Sequence, residues 1–163
     1  MVTPLSPALA DPRLILSEEG LDGALETFLL AEAALWGCVD ARLEGGKLGR
    51  GHYRAAFLLK RRPGLGVKEL ARLTGLSKQA ASRALKELIE AGLAEAAPGE
   101  LDARRRPTRL TSAGEAFEAG ISGELRARFA AAYREGGIDA APGARRILAA
   151  IAGPRAMRRS EEP

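Results

Sequence analysis

The stretch Val67–Gly92 limits the possible folds of this chain more than any other. It holds two short segments with apolar residues at helical spacing, and between them lies Gly75, a residue type that ends helices in the left-handed conformation. Ser77, a favoured N-cap residue, then begins the second segment. This spacing predicts a helix-turn-helix, although a purely structural helical hairpin gives the same pattern. The residues expected to anchor the second helix in the core are Ala81, Ala84, Leu85, Leu88 and Ile89.

The other face of that second helix carries short polar and basic side chains where a buried helix would place Leu or Ile. In a major groove, Gln79 can pair bidentately with adenine and Arg83 with guanine. The Ser77 hydroxyl is expected to cap the helix while the Ser77 N–H meets a phosphate. We predict that this face contacts DNA through Ser77, Lys78, Gln79, Ser82, Arg83 and Lys86.

Positive charge is concentrated around this helix. The net charge of the 163 residues is +4, but residues 60–110 hold twelve basic against six acidic residues, and residues 1–46 hold two against eight. A basic block is the usual signature of a phosphate-binding surface, and it is also found on ordinary solvated faces. Two alternatives stay open within it. Lys78, Gln79 and Arg83 contact bases or only the DNA backbone, and Lys86 contacts a phosphate or pairs with Glu90 at i+4.

Directly after the helix-turn-helix, residues 93–111 have the pattern of two short strands around a turn with Pro98-Gly99. Four arginines lie within six residues in the segment predicted to form the tip of this hairpin, and they indicate contact with an anion. A hairpin is slim enough for a minor groove, whose negative potential favours arginine. A helix-turn-helix followed by a hairpin is a winged helix. The residues concerned are Arg104, Arg105, Arg106 and Arg109.

The flanking segments are predicted to be helical and to dimerise. Apolar stripes run along residues 18–43 and 112–135, and a small winged-helix core cannot bury both, whereas two copies about a two-fold axis could. A capping box, Ser112 to Glu115, is expected to begin the second of these helices. The predicted organisation is a flexible, extended arm (1–17), a dimerisation helix (18–46), a winged helix-turn-helix region (47–111), dimerisation helices (112–153) and a flexible tail (154–163).

The sequence resembles the MarR family of winged-helix transcription regulators. The resemblance rests on GVKELARLTGLSKQAASRALKELIEAGLAEAAPG, on Asp102-Ala-Arg104 and on Leu110-Thr-Ser-Ala-Gly114. It implies a homodimer on a pseudo-palindromic DNA site, with Arg104 in the minor groove, Asp102 orienting its guanidinium, and Arg105 and Arg106 on phosphates. Asp102 can also serve as a turn residue that bonds its own backbone. Pro107 departs from the pattern, since it removes a donor from the returning strand.

MarR relatives also release DNA when a small aromatic ligand enters between the dimerisation helices and the winged helix. The residues here that would line such an effector pocket are Trp36, His52, Tyr53 and Phe57, and core packing is the alternative role of each. A lone histidine and a lone cysteine do not make a metal site. Oxidant sensing by Cys38 is disfavoured, because Asp40 nearby opposes a thiolate.

The predicted fold is therefore mainly α with a small β-wing: a winged helix-turn-helix domain plus N- and C-terminal dimerisation helices. The predicted function is a dimeric, sequence-specific DNA-binding regulator, a repressor released by a small ligand, in the cytoplasm, with no cofactor, metal or membrane partner. The chain lacks a phosphate-binding loop and catalytic pairings, so an enzyme is not expected. A non-specific architectural DNA-binding protein, or a protein-interaction winged helix, is the alternative.

Overall fold

The computed structural model describes residues 11–96 and 108–153. Contacts divide the chain into two compact units, one up to Gly37 and the other from Cys38 onward. The helices are α1 (Pro12–Ile15), α2 (Glu18–Leu43), α3 (Arg50–Arg61), α4 (Val67–Thr74), α5 (Lys78–Glu90), α6 (Ser112–Gly136) and α7 (Ala141–Ala152), and the strands are β1 (Ala94–Ala96) and β2 (Thr108–Leu110).

In the first unit, α1 is a single turn where the sequence predicted an extended arm. Pro12 suits the first position of a helix, and the Asp11 side chain accepts a hydrogen bond from the Arg13 N–H at 2.9 Å. This local capping overrides the extended tendency of a proline-rich segment; residues 1–10 lie outside the described part. The following α2 has the predicted bounds, and its large apolar residues are exposed: Leu21, Leu25, Phe28, Leu29 and Leu30.

The second unit has one hydrophobic core, formed where α3, α4, α5 and β1 meet. Leu59, Leu70 and Leu88 are fully buried at its centre. Leu76, from the turn between α4 and α5, packs against this core as predicted. The core therefore fixes the two helices of the helix-turn-helix against α3. Its buried members are Ala55, Leu59, Leu65, Leu70, Ala81, Leu85, Leu88 and Ala94.

The ends of α5 follow the sequence closely. Gly75 has φ of +72°, in the left-handed region, and Ser77 Oγ accepts from the Ala80 N–H at 3.1 Å as the N-cap. At the other end, the Leu93 N–H donates to Leu88 O, and the Gly92 N–H donates to Ile89 O. Gly92 has φ of +70°, so this is a Schellman ending.

The prediction that Ile89 is buried is wrong. Ile89 is 42% exposed, whereas Ala81, Ala84, Leu85 and Leu88 are buried as expected. Ile89 is the last residue but one of α5, and the helix ends before another described element can cover it.

The two strands pair antiparallel, with Ala94 opposite Leu110 and Ala96 opposite Thr108. They form the base of the predicted wing, and the hairpin connection at 97–107 lies outside the described residues. A helix-turn-helix followed by a β-hairpin is the winged-helix arrangement that the sequence predicted.

The predicted capping box from Ser112 to Glu115 is wrong, because the N-cap of α6 lies one residue earlier and the third residue after it is Gly114. Thr111, not Ser112, is the N-cap: its hydroxyl oxygen accepts from the Gly114 N–H at 3.1 Å and its O–H donates to Gly92 O at 2.7 Å. Thr111 thus ties the end of α5 to the start of α6, a role that only its position beside Gly92 could show.

Burial falls along α6. Its first half packs on the winged-helix unit and buries Glu118, Ile121 and Ser122, whereas Phe129 and Tyr133 in its second half are about two-fifths exposed. In α7, Ile147, Leu148 and Ile151 are exposed as well. Within the two described ranges, no helix is both long and apolar enough to cross a membrane.

Candidate nucleic-acid interface

The front of α5 is free of packing. Ser77, Lys78, Gln79, Ser82 and Arg83 are all exposed, while the opposite face of the helix lies in the core. Every α5 side chain that was predicted to contact DNA is therefore exposed to solvent. Gln79 and Ser82 have amide and hydroxyl groups that can both donate and accept, as contact with base edges requires.

Arg83 is held by an acid on its own helix. Its Nε–H donates to Glu87 Oε1 at 2.9 Å, an i,i+4 pair in which the Arg83 side chain stays 78% exposed. The second oxygen, Glu87 Oε2, lies 2.6 Å from His52 Nε2 of α3. Hydrogen bonds from Arg83, and then from His52, lower the pKa of Glu87 from its ordinary value. Glu87 is therefore a carboxylate at neutral pH, bonded to both residues.

Sequence reasoning missed this arrangement in part. The i,i+4 spacing of Arg83 and Glu87 could have indicated the first bond. The second joins residues 35 positions apart, and no local pattern indicates it.

Lys86 pairs with Glu90, with Nζ and Oε1 3.5 Å apart and both side chains largely exposed. This is one of the two predicted roles. Such an exposed pair is weak, so Lys86 can still turn to a phosphate.

In the wing, the described arginine is Arg109, whose Nε–H donates to Glu95 Oε1 across the strand pair at 2.8 Å. Arg109 is thereby part of the base of the hairpin. The predicted contacts at the tip, Asp102, Arg104, Arg105 and Arg106, lie outside the described residues.

A buried polar chain joins α3 to α6 in the region of the predicted effector pocket. Tyr53 is 5% exposed, and its hydroxyl lies 2.9 Å from Ser122 Oγ. Ser122 in turn donates to Glu118, which pairs with Lys60 Nζ at 2.6 Å. Burial by itself would raise the pKa of Glu118, but Lys60 and Ser122 outweigh it and lower that pKa. Tyr53 is thus a core residue with a polar partner.

The other predicted pocket residues lie in different surroundings. The Phe57 ring contacts that of Tyr53, with centroids 6.1 Å apart, and the Arg61 guanidinium lies 4.5 Å above it. His52 points to the recognition helix α5, and Trp36 lies in the first unit, where it is half-buried. The effector pocket stays a prediction.

Among the cavities lined by described residues are two that lie elsewhere, and none of the four predicted pocket residues lines either of them. One, of about 360 Å³, lies between α3, the strands and the start of α6; the other, of about 560 Å³, lies beside α5 and is lined in part by Arg83 and Glu87. No group of three or more His, Cys, Asp or Glu within the described ranges could hold a metal ion.

The chain matches the model of the MarR family over residues 47–105. It is also 38% identical, over 146 residues, to the HTH-type transcriptional regulator PetP of Rhodobacter capsulatus, covering 90% of this chain and 87% of that protein. The chain belongs to the MarR family. The MarR match begins at the α2–α3 loop and includes the helix-turn-helix and part of the wing.

Solved MarR structures share the fold. The MarR family transcription regulator SP03579 superposes with a TM-score of 0.69 at 22% identity, covering 85% of this chain and 91% of that one. The Mycobacterium tuberculosis MarR family protein Rv2887, in complex with p-aminosalicylic acid, superposes with a TM-score of 0.56 at 27% identity, covering 75% and 94%. This MarR protein is therefore a transcription regulator with a DNA-binding winged helix.

Proposed function

We propose that the chain is a homodimeric repressor that binds a pseudo-palindromic DNA site and is released by a small aromatic ligand. The observation that carries this proposal is the two-sided α5. Its buried side fixes the helix on the core, while Gln79, Ser82 and Arg83 stand exposed with groups that fit base edges.

The homodimer is supported by the apolar surface that the described residues leave uncovered. Large apolar side chains stay exposed on α6 and α7, among them Phe129, Ile147 and Ile151, and exposed apolar surface of this kind favours contact with a partner. A two-fold dimer would cover them and would place two copies of α5 on half-sites about one helical turn apart.

Ligand control is supported by likeness to Rv2887, whose structure is a complex with p-aminosalicylic acid. In this chain, Tyr53 and Phe57 bring two aromatic rings together at the side of α3. Small movements there would be passed to α5, since α3 packs directly against it.

Selection of bound sequences from random duplex DNA tests the function. A palindromic consensus is expected, and p-aminosalicylic acid should release the protein from the selected site. Enrichment of no sequence would favour an architectural DNA-binding protein instead.

Gln79→Ala tests the reading face. The variant should keep its affinity for random DNA but lose preference at one base position in each half-site, because only the side-chain amide is removed. Repeating the selection with the variant gives the measurement. An unchanged consensus would show that Gln79 does not read a base.

A further inference from the structure

Glu87 receives hydrogen bonds from two different helices. On α5 the donor is Arg83 Nε–H, at 2.9 Å, and on α3 it is His52 Nε2, at 2.6 Å. The Glu87 side chain is 31% exposed and that of His52 is 13% exposed. The partly buried His52 imidazole therefore holds the Glu87 carboxylate from the α3 side. That carboxylate in turn holds the exposed Arg83 guanidinium.

The tautomer of His52 follows from its other nitrogen. The Gly49 N–H donates to His52 Nδ1 at 2.9 Å, at the start of α3. Nδ1 must therefore keep its lone pair, so in the neutral ring the proton is on Nε2 and is donated to Glu87. The Gly49 N–H therefore donates to His52, and His52 donates to Glu87.

An exposed arginine normally samples many rotamers, and it loses this freedom when it binds. Here the bond to Glu87 uses Nε and leaves both terminal nitrogens for an acceptor pair such as guanine O6 and N7. Donors on both oxygens also offset the negative charge that Glu87 would bring close to DNA phosphates.

We propose that His52 and Glu87 are positioning residues that hold Arg83 in the orientation in which it reads a base. This inference rests on the proposed DNA-binding function and deepens it, since it makes the first turn of α3 part of the specificity of α5.

The first test uses two carboxylates on α5. Glu87→Gln and Glu90→Gln each remove one negative charge, so both should strengthen binding to random DNA alike. Arg83→Ala first identifies the base position that depends on Arg83. Discrimination at that position should fall at least about threefold in Glu87→Gln and stay unchanged in Glu90→Gln, because Glu90 pairs with Lys86 and not with Arg83. The double variant with Arg83→Ala and Glu87→Gln should lose no more discrimination at that base position than Arg83→Ala alone.

The second test separates positioning from capping at His52. Asparagine can place an acceptor near the position of Nδ1 for Gly49 but is too short to reach Glu87. Glutamine can place an N–H near the position of Nε2 but provides no acceptor at Nδ1. His52→Asn should therefore lose discrimination at the Arg83 position, and His52→Gln should stay within about twofold of the unchanged protein.

The outcomes distinguish this inference from the proposed function. If the unchanged protein prefers a sequence and Glu87→Gln keeps that preference in full, the positioning role is overturned and the DNA-reading role survives. If His52→Gln loses discrimination at the Arg83 position and His52→Asn keeps it, the positioning role is likewise overturned. The role of His52 would then be to accept the Gly49 N–H at the start of α3. An unchanged protein that binds all sequences equally would overturn both.

Discussion

At the scale of single residues, Glu118 is a charged residue with a structural role, because its carboxylate is buried between α3 and α6. Its side chain is 2% exposed and bonded to Lys60 and Ser122. The helical spacing of α6 predicted apolar contacts along it but no buried carboxylate. By contrast, exposure of Gln79 and Arg83 followed from the sequence, because polar residues opposite a leucine stripe must face solvent.

Lys60→Met should destabilise the fold by roughly 1.5–3 kcal/mol at neutral pH, because a buried carboxylate loses its charged donor. The folded-state pKa of Glu118 lies below its ordinary value of 4.5. Ionised Glu118 therefore stabilises the fold above that value, and this contribution is lost as the pH falls through the folded-state pKa. The loss of unfolding free energy in Lys60→Met should therefore be smaller at low pH, when Glu118 is protonated.

Urea unfolding followed by circular dichroism, repeated over a pH series from pH 7 downward, measures this effect. Lys68→Met is the control, because Lys68 is exposed on α4 and should change stability by less than about 0.5 kcal/mol. Equal losses in the two variants would contradict the structural role of the Lys60–Glu118 pair.

At the scale of elements, the strand-to-helix junction explains the Leu-Thr-x-x-Gly motif. Leu110 ends β2, Thr111 caps α6, and Gly114 lies where a Cβ would overlap the Leu93 carbonyl oxygen. The same carbonyl accepts the Thr111 N–H at 3.1 Å. The motif is therefore a packing device that brings the wing, α5 and α6 together.

Gly114→Ala should destabilise the protein by about 1–3 kcal/mol or more, because the added methyl group forces apart two backbone segments. Gly123→Ala on the same helix is the matched control. No heavy atom lies within 4 Å of its added Cβ, so it should stabilise the helix by about 0.5–1 kcal/mol. Thermal unfolding of both variants gives the comparison, and a neutral Gly114→Ala would show that the junction is not tightly packed.

At the scale of the whole molecule, the uncovered apolar surface is what supports the proposed homodimer. Each unit of the chain exposes large apolar side chains: Phe28 and Leu29 in the first, and Ile147 and Ile151 in the second. The sequence indicated an excess of apolar residues for the core. Which of them remain uncovered became visible only in the packed chain.

Replacing Ile147 and Ile151 together with Asn should weaken the proposed homodimer by at least about a hundredfold. Each buried isoleucine contributes about 1.5–3 kcal/mol, and about 1.4 kcal/mol corresponds to a factor of ten. Sedimentation equilibrium over a dilution series measures the dissociation constant. Ile89→Asn on α5, also at an exposed isoleucine, is the control, and equal dissociation in both proteins would place the dimer surface elsewhere.

The sequence by itself determined the helix-turn-helix, its caps at Gly75 and Ser77, the strand pair after it and the exposed face of α5. These features depend on periodicity and on backbone preferences within a few residues. The tertiary structure decided the partners of His52, Glu87, Lys60 and Glu118, because such contacts join residues far apart in the chain. It also decided that Thr111 rather than Ser112 caps α6, since the Thr111 hydroxyl meets a carbonyl that only folding brings beside it.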